Sequence, residues 1–155
     1  MKPLLDFCWR LGLRFVYPLA RLYWFWLRPD VRGTYVFVWC NGRALLTRNS
    51  YRRGLVAPGG MVRRGEEPLR AAVRELAEET GIAVEAGQLK PLGEAPKRRS
   101  NGYGTAEMFE VVLGVAPPVA IDNREVVWAG FMRPEEALAE DLDFVTEVYL
   151  EGVLR

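Results

Sequence analysis

No histidine occurs in the 155 residues of the chain. Its absence excludes a Ser-His-Asp or Cys-His relay and any His-ligated zinc site. Acid–base chemistry at neutral pH is left to carboxylates, Lys, Tyr or a cation-bound water. Cysteine is scarce too. Cys8 and Cys40 are too few and too far apart for a disulfide framework or a CxxC metal site. They read as small apolar core residues in a reducing, cytoplasmic compartment. An excess of one charge is also lacking: 21 Lys plus Arg face 20 Asp plus Glu, for a net charge of +1. That balance gives no electrostatic case for a nucleic-acid polymer as partner. With 50% hydrophobic and 26% charged residues, a chain of this length fits one globular domain with its own core.

An uninterrupted apolar run is missing as well, although residues 1–29 come near to one. Leu4 to Leu27 is dense in Leu, Phe, Tyr and Trp, and holds Trp9, Trp24 and Trp26 of the five tryptophans. On a helical wheel Arg10, Arg14, Arg21 and Arg28 share a narrow stripe and most of the remaining circumference is apolar. Charges recur too often for a transmembrane span. Asp6, Arg10 and Arg14 break the apolar stretch that a signal peptide needs. The segment therefore predicts an amphipathic helical extension, with Pro18 kinking or splitting it. Two roles stay open: packing on the domain or a second copy in a homodimer, and peripheral membrane contact through snorkelling arginines.

Residues 30–155 carry the pattern of one α/β domain. Thr34 to Cys40 is β-branched and aromatic, Asn41-Gly42 signals a type I′ hairpin, and Arg43 to Arg48 reads as the return strand. A basic loop, 49–54, leads to Ala57-Pro58-Gly59-Gly60. Pro68 to Thr80 predicts a helix with Pro in its first turn and Gly81 just past its end. Further strands are expected at 88–94, 106–115 and 125–132, and short helices at 134–140 and 144–150.

The helix at 68–80 departs from local preference. Leu69, Ala72, Val73 and Leu76 form its inward apolar stripe. Glu75, Glu78 and Glu79 gather on another sector, with Glu75 and Glu79 one turn apart, where like charges repel. Glu78 and Glu79 also lie in the last turn, where the helix dipole disfavours anions by about 0.3–1 kcal/mol each. An ordinary solvated face would carry cations there. Three carboxylates gathered against these preferences point to a divalent cation that neutralises them. An all-oxygen set suits Mg²⁺, with Mn²⁺ as substitute. Gly59-Gly60 and Gly65 allow a sharply turned, closely approaching backbone before the helix.

These residues resemble the Nudix box, Gly-x5-Glu-x7-Arg-Glu-U-x-Glu-Glu-x-Gly-U with U aliphatic. It runs here through Gly60, Glu66, Arg74, Glu75, Leu76, Glu78, Glu79, Gly81 and Ile82, with every defined position filled. The resemblance, to the MutT-like Nudix hydrolase family, covers about residues 32–140. It implies an α/β/α sandwich around a mixed sheet, and Mg²⁺-dependent hydrolysis of a diphosphate bond. It further implies that Glu75, Glu78 and Glu79 coordinate the cation with the Gly60 carbonyl. Arg74 would orient a glutamate, and Glu66 would brace the loop or reach the cation through water. Glu75 is the first choice for general base, with Glu125 and Glu107 as carboxylates outside the box.

For the substrate, Arg48 with Arg52 and Arg53, and Lys97-Arg98-Arg99, are the basic stretches suited to phosphate. Tyr51, Tyr103 and Phe109 are aromatics able to stack on a base. A small-molecule diphosphate is the expected partner: a nucleoside diphosphate linked to another moiety, a nucleoside triphosphate or a nucleotide sugar. A binding module that does not hydrolyse, and a membrane-peripheral hydrolase of diphosphate lipids, are the alternatives.

Overall fold

The computed structural model describes residues 31–96 and 104–155, together with Trp9, Leu11, Gly12 and Val16. Those four are helical and exposed. The remainder of the expected extension over 1–29 lies outside the described residues, as do Lys97, Arg98, Arg99 and Tyr103.

Strand β1 (Val31–Cys40) is apolar on both sides because both sides are covered. Val36 and Val38 enter one core and Phe37 enters another. Its turn is built from Asn41 at φ 50° and Gly42 at φ 69°, the left-handed pair that a type I′ hairpin needs. Strand β2 (Arg43–Asn49) then pairs antiparallel with β1 at Trp39 with Ala44 and Cys40 with Arg43. Farther from the turn a third stretch, 56–62, lies between them. Thr34 and Val36 of β1 donate to the Gly60 and Pro58 carbonyls at 2.8 and 2.7 Å, and Thr47 of β2 exchanges two backbone bonds with Val56.

Strand β3 is Lys90–Glu94, β4 Gly104–Leu113 and β5 Val126–Met132. β4 runs parallel to β1 along its whole length, β3 pairs antiparallel with β4, and β5 antiparallel with β2. The result is a mixed five-stranded sheet in the order β3-β4-β1-β2-β5. Helix α1 (Pro68–Thr80) covers one face, setting Ala72 and Leu76 against Val36, Val38, Leu45, Phe109 and Val111. Burying Leu76 alone is worth about 1.5–3 kcal/mol. Helices α2 (Pro134–Ala137) and α3 (Phe144–Val153) cover the other face. There Leu150 and Ala137 meet Ala44 and Leu46, while Val145 meets Phe37. This is the expected α/β/α sandwich.

Strand boundaries shift by one to three residues from expectation, β4 running Gly104–Leu113 against the expected 106–115, and other elements differ for local reasons. Gln88 belongs to a 3-10 turn, Ala86–Gln88, because its side-chain oxygen accepts the Glu85 N–H at 2.8 Å. Helix α2 stops at Ala137 after one turn. Helix α3 begins at Phe144 as expected and continues to Val153, and the Asp143 side chain caps its start by accepting the Val145 N–H at 3.1 Å.

The end of α1 fixes where its carboxylates point. Gly81 has φ 71° and donates to the Ala77 carbonyl, and the Ala120 N–H takes the Thr80 carbonyl at 2.8 Å. A Cβ on Gly81 would lie 3.0 Å from that of Ala120. Gly81→Ala should therefore cost about 1–3 kcal/mol, read as a lower urea midpoint with an unchanged m-value.

Candidate active site

The stretch 56–62 brings the sheet into contact with the polar sector of α1. Gly59 lies so close to β1 that a Cβ there would land on the Thr34 carbonyl oxygen. Gly60 is crowded from the other side, since a Cβ would come within 2.5 Å of the Glu75 Cδ. The Gly60 carbonyl accepts the Thr34 N–H at 2.8 Å and, more weakly, the Thr34 hydroxyl at 3.5 Å. These bonds fix the position of the carbonyl that the sequence offers as a cation ligand. Gly65, at φ 78°, makes the turn between this stretch and α1.

Arg74 organises the acidic sector. Its guanidinium presents five N–H donors in a fixed fork, and five contacts are made. Nε and Nη2 grip the two oxygens of Glu66 at 2.9 and 2.8 Å. Nη2 also reaches the Met61 carbonyl at 3.1 Å. Nη1 donates to Glu75 at 2.6 Å and to Glu78 at 3.2 Å. Glu66 in turn accepts the Arg63 N–H at 2.9 Å. The Arg74 guanidinium and this N–H hold its carboxyl down to about 2. Glu66 therefore braces the loop through Arg74, and Arg74 aims Glu75.

Glu79 is nearly buried at 8% exposure. It accepts a hydrogen bond from the Gly59 N–H at 2.9 Å. Burial, followed by the charges of Glu125 and Glu75, pushes its carboxyl up to about 8. Glu75 is also raised by burial, against the pull of Arg74, with Glu78 and Glu125 adding to the rise. Glu125, distant in sequence and just before β5, is thus near enough for its charge to act on Glu75 and Glu79 of α1. Tyr51 donates its hydroxyl to a Glu125 oxygen at 2.7 Å, and the phenol is driven upward by burial and by that carboxylate. Glu107, the other candidate outside the box, instead pairs with Arg32 at 2.9 Å.

Among the described residues no three acidic side chains converge tightly enough to cage a metal as they stand. Glu75 and Glu78 are turned to Arg74, and Glu79 to Gly59. The set still fits a hard divalent cation. It is all oxygen, and a buried carboxylate beside two others, answered by one N–H, is the environment that such a cation relieves.

Arg48, Arg52 and Arg53 line one groove of about 610 Å³ with Asn49, Ser50 and Val127. Arg48 lies over the Trp128 ring and Arg52 over the Tyr51 ring, at 5.9 and 5.7 Å. Phe109 is a correction: at 3% exposure in the core beneath α1, it is unable to stack on a ligand. Sequence reasoning missed Met61, whose role rests on its carbonyl, and Arg63, whose guanidinium also reaches Glu78 at 3.3 Å. No side-chain pattern signals either.

The sequence profile of the NUDIX domain matches residues 29–151. The chain belongs to the NUDIX family and is a hydrolase of acid anhydrides, a pyrophosphohydrolase. Its fold is shared with solved structures. The MutT NUDIX hydrolase from Burkholderia pseudomallei has a TM-score of 0.68 at 24% identity, covering 80% of this chain and 98% of that one. The MutT protein from Methanosarcina mazei Go1 has a TM-score of 0.67 at 23% identity, covering 80% and 92%. The NUDIX domain of Shewanella oneidensis NrtR, solved with ADP ribose, has a TM-score of 0.68 at 15% identity, covering 81% and 86%. A comparison with curated proteins gave no match.

The two glycines should separate stability from activity. Gly59→Ala drives a Cβ into backbone and should lower the melting temperature. Gly60→Ala meets only the Glu75 carboxylate and must displace it from Arg74, so it should lower melting less than Gly59→Ala while cutting turnover. Equal melting losses would count against this arrangement.

Glu79 gives a pH test. Its carboxyl lies near 8 in the fold, against an ordinary 4.5, so the native state binds the extra proton between those values. The contribution of Glu79 to the stability of the metal-free protein should then be fullest below about pH 4.5 and fall as pH rises to about 8. A cation that replaces the proton should stabilise most at the top of that window. Melting curves in EDTA and in Mg²⁺ across the range check this, and Glu79→Gln should flatten the EDTA slope.

Proposed function

We propose that the chain hydrolyses the diphosphate bond of a nucleoside diphosphate linked to another moiety, using Mg²⁺, with Mn²⁺ as substitute. The observation that carries this reading is the buried Glu79, facing Glu75 and Glu125 with one backbone N–H as hydrogen-bond partner. Glu75, Glu78 and Glu79 would hold the cation. Such a cation neutralises the diphosphate and makes a water acidic enough to lose a proton near neutral pH.

The chain's own residues supply the rest. Glu75, held and aimed by Arg74, takes the proton from the attacking water. Glu125, whose charge acts on Glu75 and Glu79, keeps the local field negative, which favours a cation there. Arg48, Arg52 and Arg53 offset the charge of the substrate and of the departing phosphate. Lys97, Arg98, Arg99 and Tyr103 are assigned to substrate binding from the sequence. The complex of the NrtR domain with ADP ribose supports a ligand of this size and class.

A panel of nucleoside triphosphates, nucleotide sugars and ADP-ribose, assayed with Mg²⁺, tests the reading. At least one should be cleaved, and Glu79→Gln should lower its turnover. Glu75→Gln should lower kcat by about 10²–10⁴-fold, and Glu125→Gln by less. The reverse ranking would transfer the proton to Glu125. Tight binding without cleavage of any member would make the chain a nucleotide-binding module.

A further inference from the structure

Tyr51 sits in the basic loop, where an aromatic invites assignment as a stacking platform for a base. The geometry assigns it another task. Strand β5 carries a bulge at its start: Arg48 pairs with Trp128 and Asn49 with Val126, so Val127 is skipped. Bulges of this kind re-aim neighbouring side chains. The ladder is carried one step further by the Ser50 N–H, which donates to the Glu125 carbonyl at 2.8 Å. The backbone of Glu125 is thereby fixed, and its carboxylate is left to choose a direction.

Tyr51 makes that choice. Its hydroxyl donates to Glu125 at 2.7 Å, and its oxygen accepts from the Asn49 amide nitrogen at 3.3 Å. With its proton committed to a carboxylate, the phenol oxygen is only an acceptor. This identifies the Asn49 group facing it as the NH2 and not the carbonyl. Asn49 is itself 5% exposed, so the relay Asn49 to Tyr51 to Glu125 starts from a buried anchor and ends at the cleft.

We propose that Tyr51 is a positioning residue that holds the Glu125 carboxylate toward Glu75 and Glu79. This rests on the reading that Glu125 faces the diphosphate site. Tyr51 touches neither substrate nor cation. It acts by removing the freedom of a side chain that would otherwise swing into solvent, and misplacement of a group by about 1 Å is worth up to roughly 10²-fold in rate.

Four variants decide it: Tyr51→Phe, Tyr51→Leu, Glu125→Ala, and the double variant Tyr51→Phe with Glu125→Ala. Two quantities are measured. The first is kcat and KM on the best member of the panel; the second is Mn²⁺ affinity by calorimetric titration without substrate. Tyr51→Phe should lower kcat about tenfold with KM within about twofold. It should also weaken Mn²⁺ binding, and both effects should vanish in the Glu125→Ala background. Multiplicative effects in the double variant would overturn the proposal. So would a Tyr51→Phe enzyme that matches the unmodified chain while Tyr51→Leu raises KM, which is the signature of stacking. A Glu125→Ala enzyme of full activity and full Mn²⁺ affinity would overturn it too. If no panel member is cleaved, the hydrolytic reading falls, and the Mn²⁺ cycle still decides the role of Tyr51 by the same criterion.

Discussion

The contacts of one guanidinium hold the acidic sector together. Arg74 is anchored on α1 yet reaches Met61 and Glu66 in the preceding stretch, while also holding Glu75 and Glu78 on its own helix. A fork with every donor engaged is rigid, since no bond can be traded without leaving another group unanswered. Lysine, with a compact ammonium and three donors, lacks the fork needed to make the same set. The carboxylates on which the chemistry depends are therefore arranged before any ligand arrives, and α1 tolerates its repulsions because an internal cation is shared among them.

The sheet supplies what Arg74 lacks. Glu79 is not held by the guanidinium. Its partner is the Gly59 N–H, and Gly59 is pressed against the backbone of β1. One carboxylate of the cluster is thus referenced to the sheet and two to the helix. Glu125 arrives from a third element, the bulged start of β5, with Tyr51 and Asn49 behind it. The cleft is defined by how α1, β1 and β5 are packed against one another, which is why buried apolar residues such as Leu76 and Val36 matter to it.

Helix α1 was readable from the sequence because its punctuation is local: Pro68 at the first turn, Gly81 past the last, and apolar residues at i, i+3, i+4 and i+7 between them. The Asn41-Gly42 turn was readable for the same reason. The stretch 56–62 was not, because Ala-Pro-Gly-Gly has the composition of a loop, and its bonds to Thr34 and Val36 join residues far apart in the chain. The acidic cluster is legible as an anomaly, yet for its hub, Arg74, the resemblance implies only that it orients a glutamate. The grip on Glu66 and Met61 depends on the path of the loop. The partnership of Tyr51 with Glu125 spans 74 residues and leaves no local trace, so the sequence shows only an aromatic in a basic loop that is able to stack.

The threading of 56–62 between β1 and β2 also bears on how the protein fluctuates. Loops that carry catalytic groups commonly open at little cost, independently of the core. Here the amides of Thr34 and Val36, in the central strand, find their acceptors at Gly60 and Pro58. Freeing the catalytic loop means unzipping the middle of the sheet. Its openings should then be as rare as those of the core itself, and exchange of two interior strand amides would report on the integrity of the cleft.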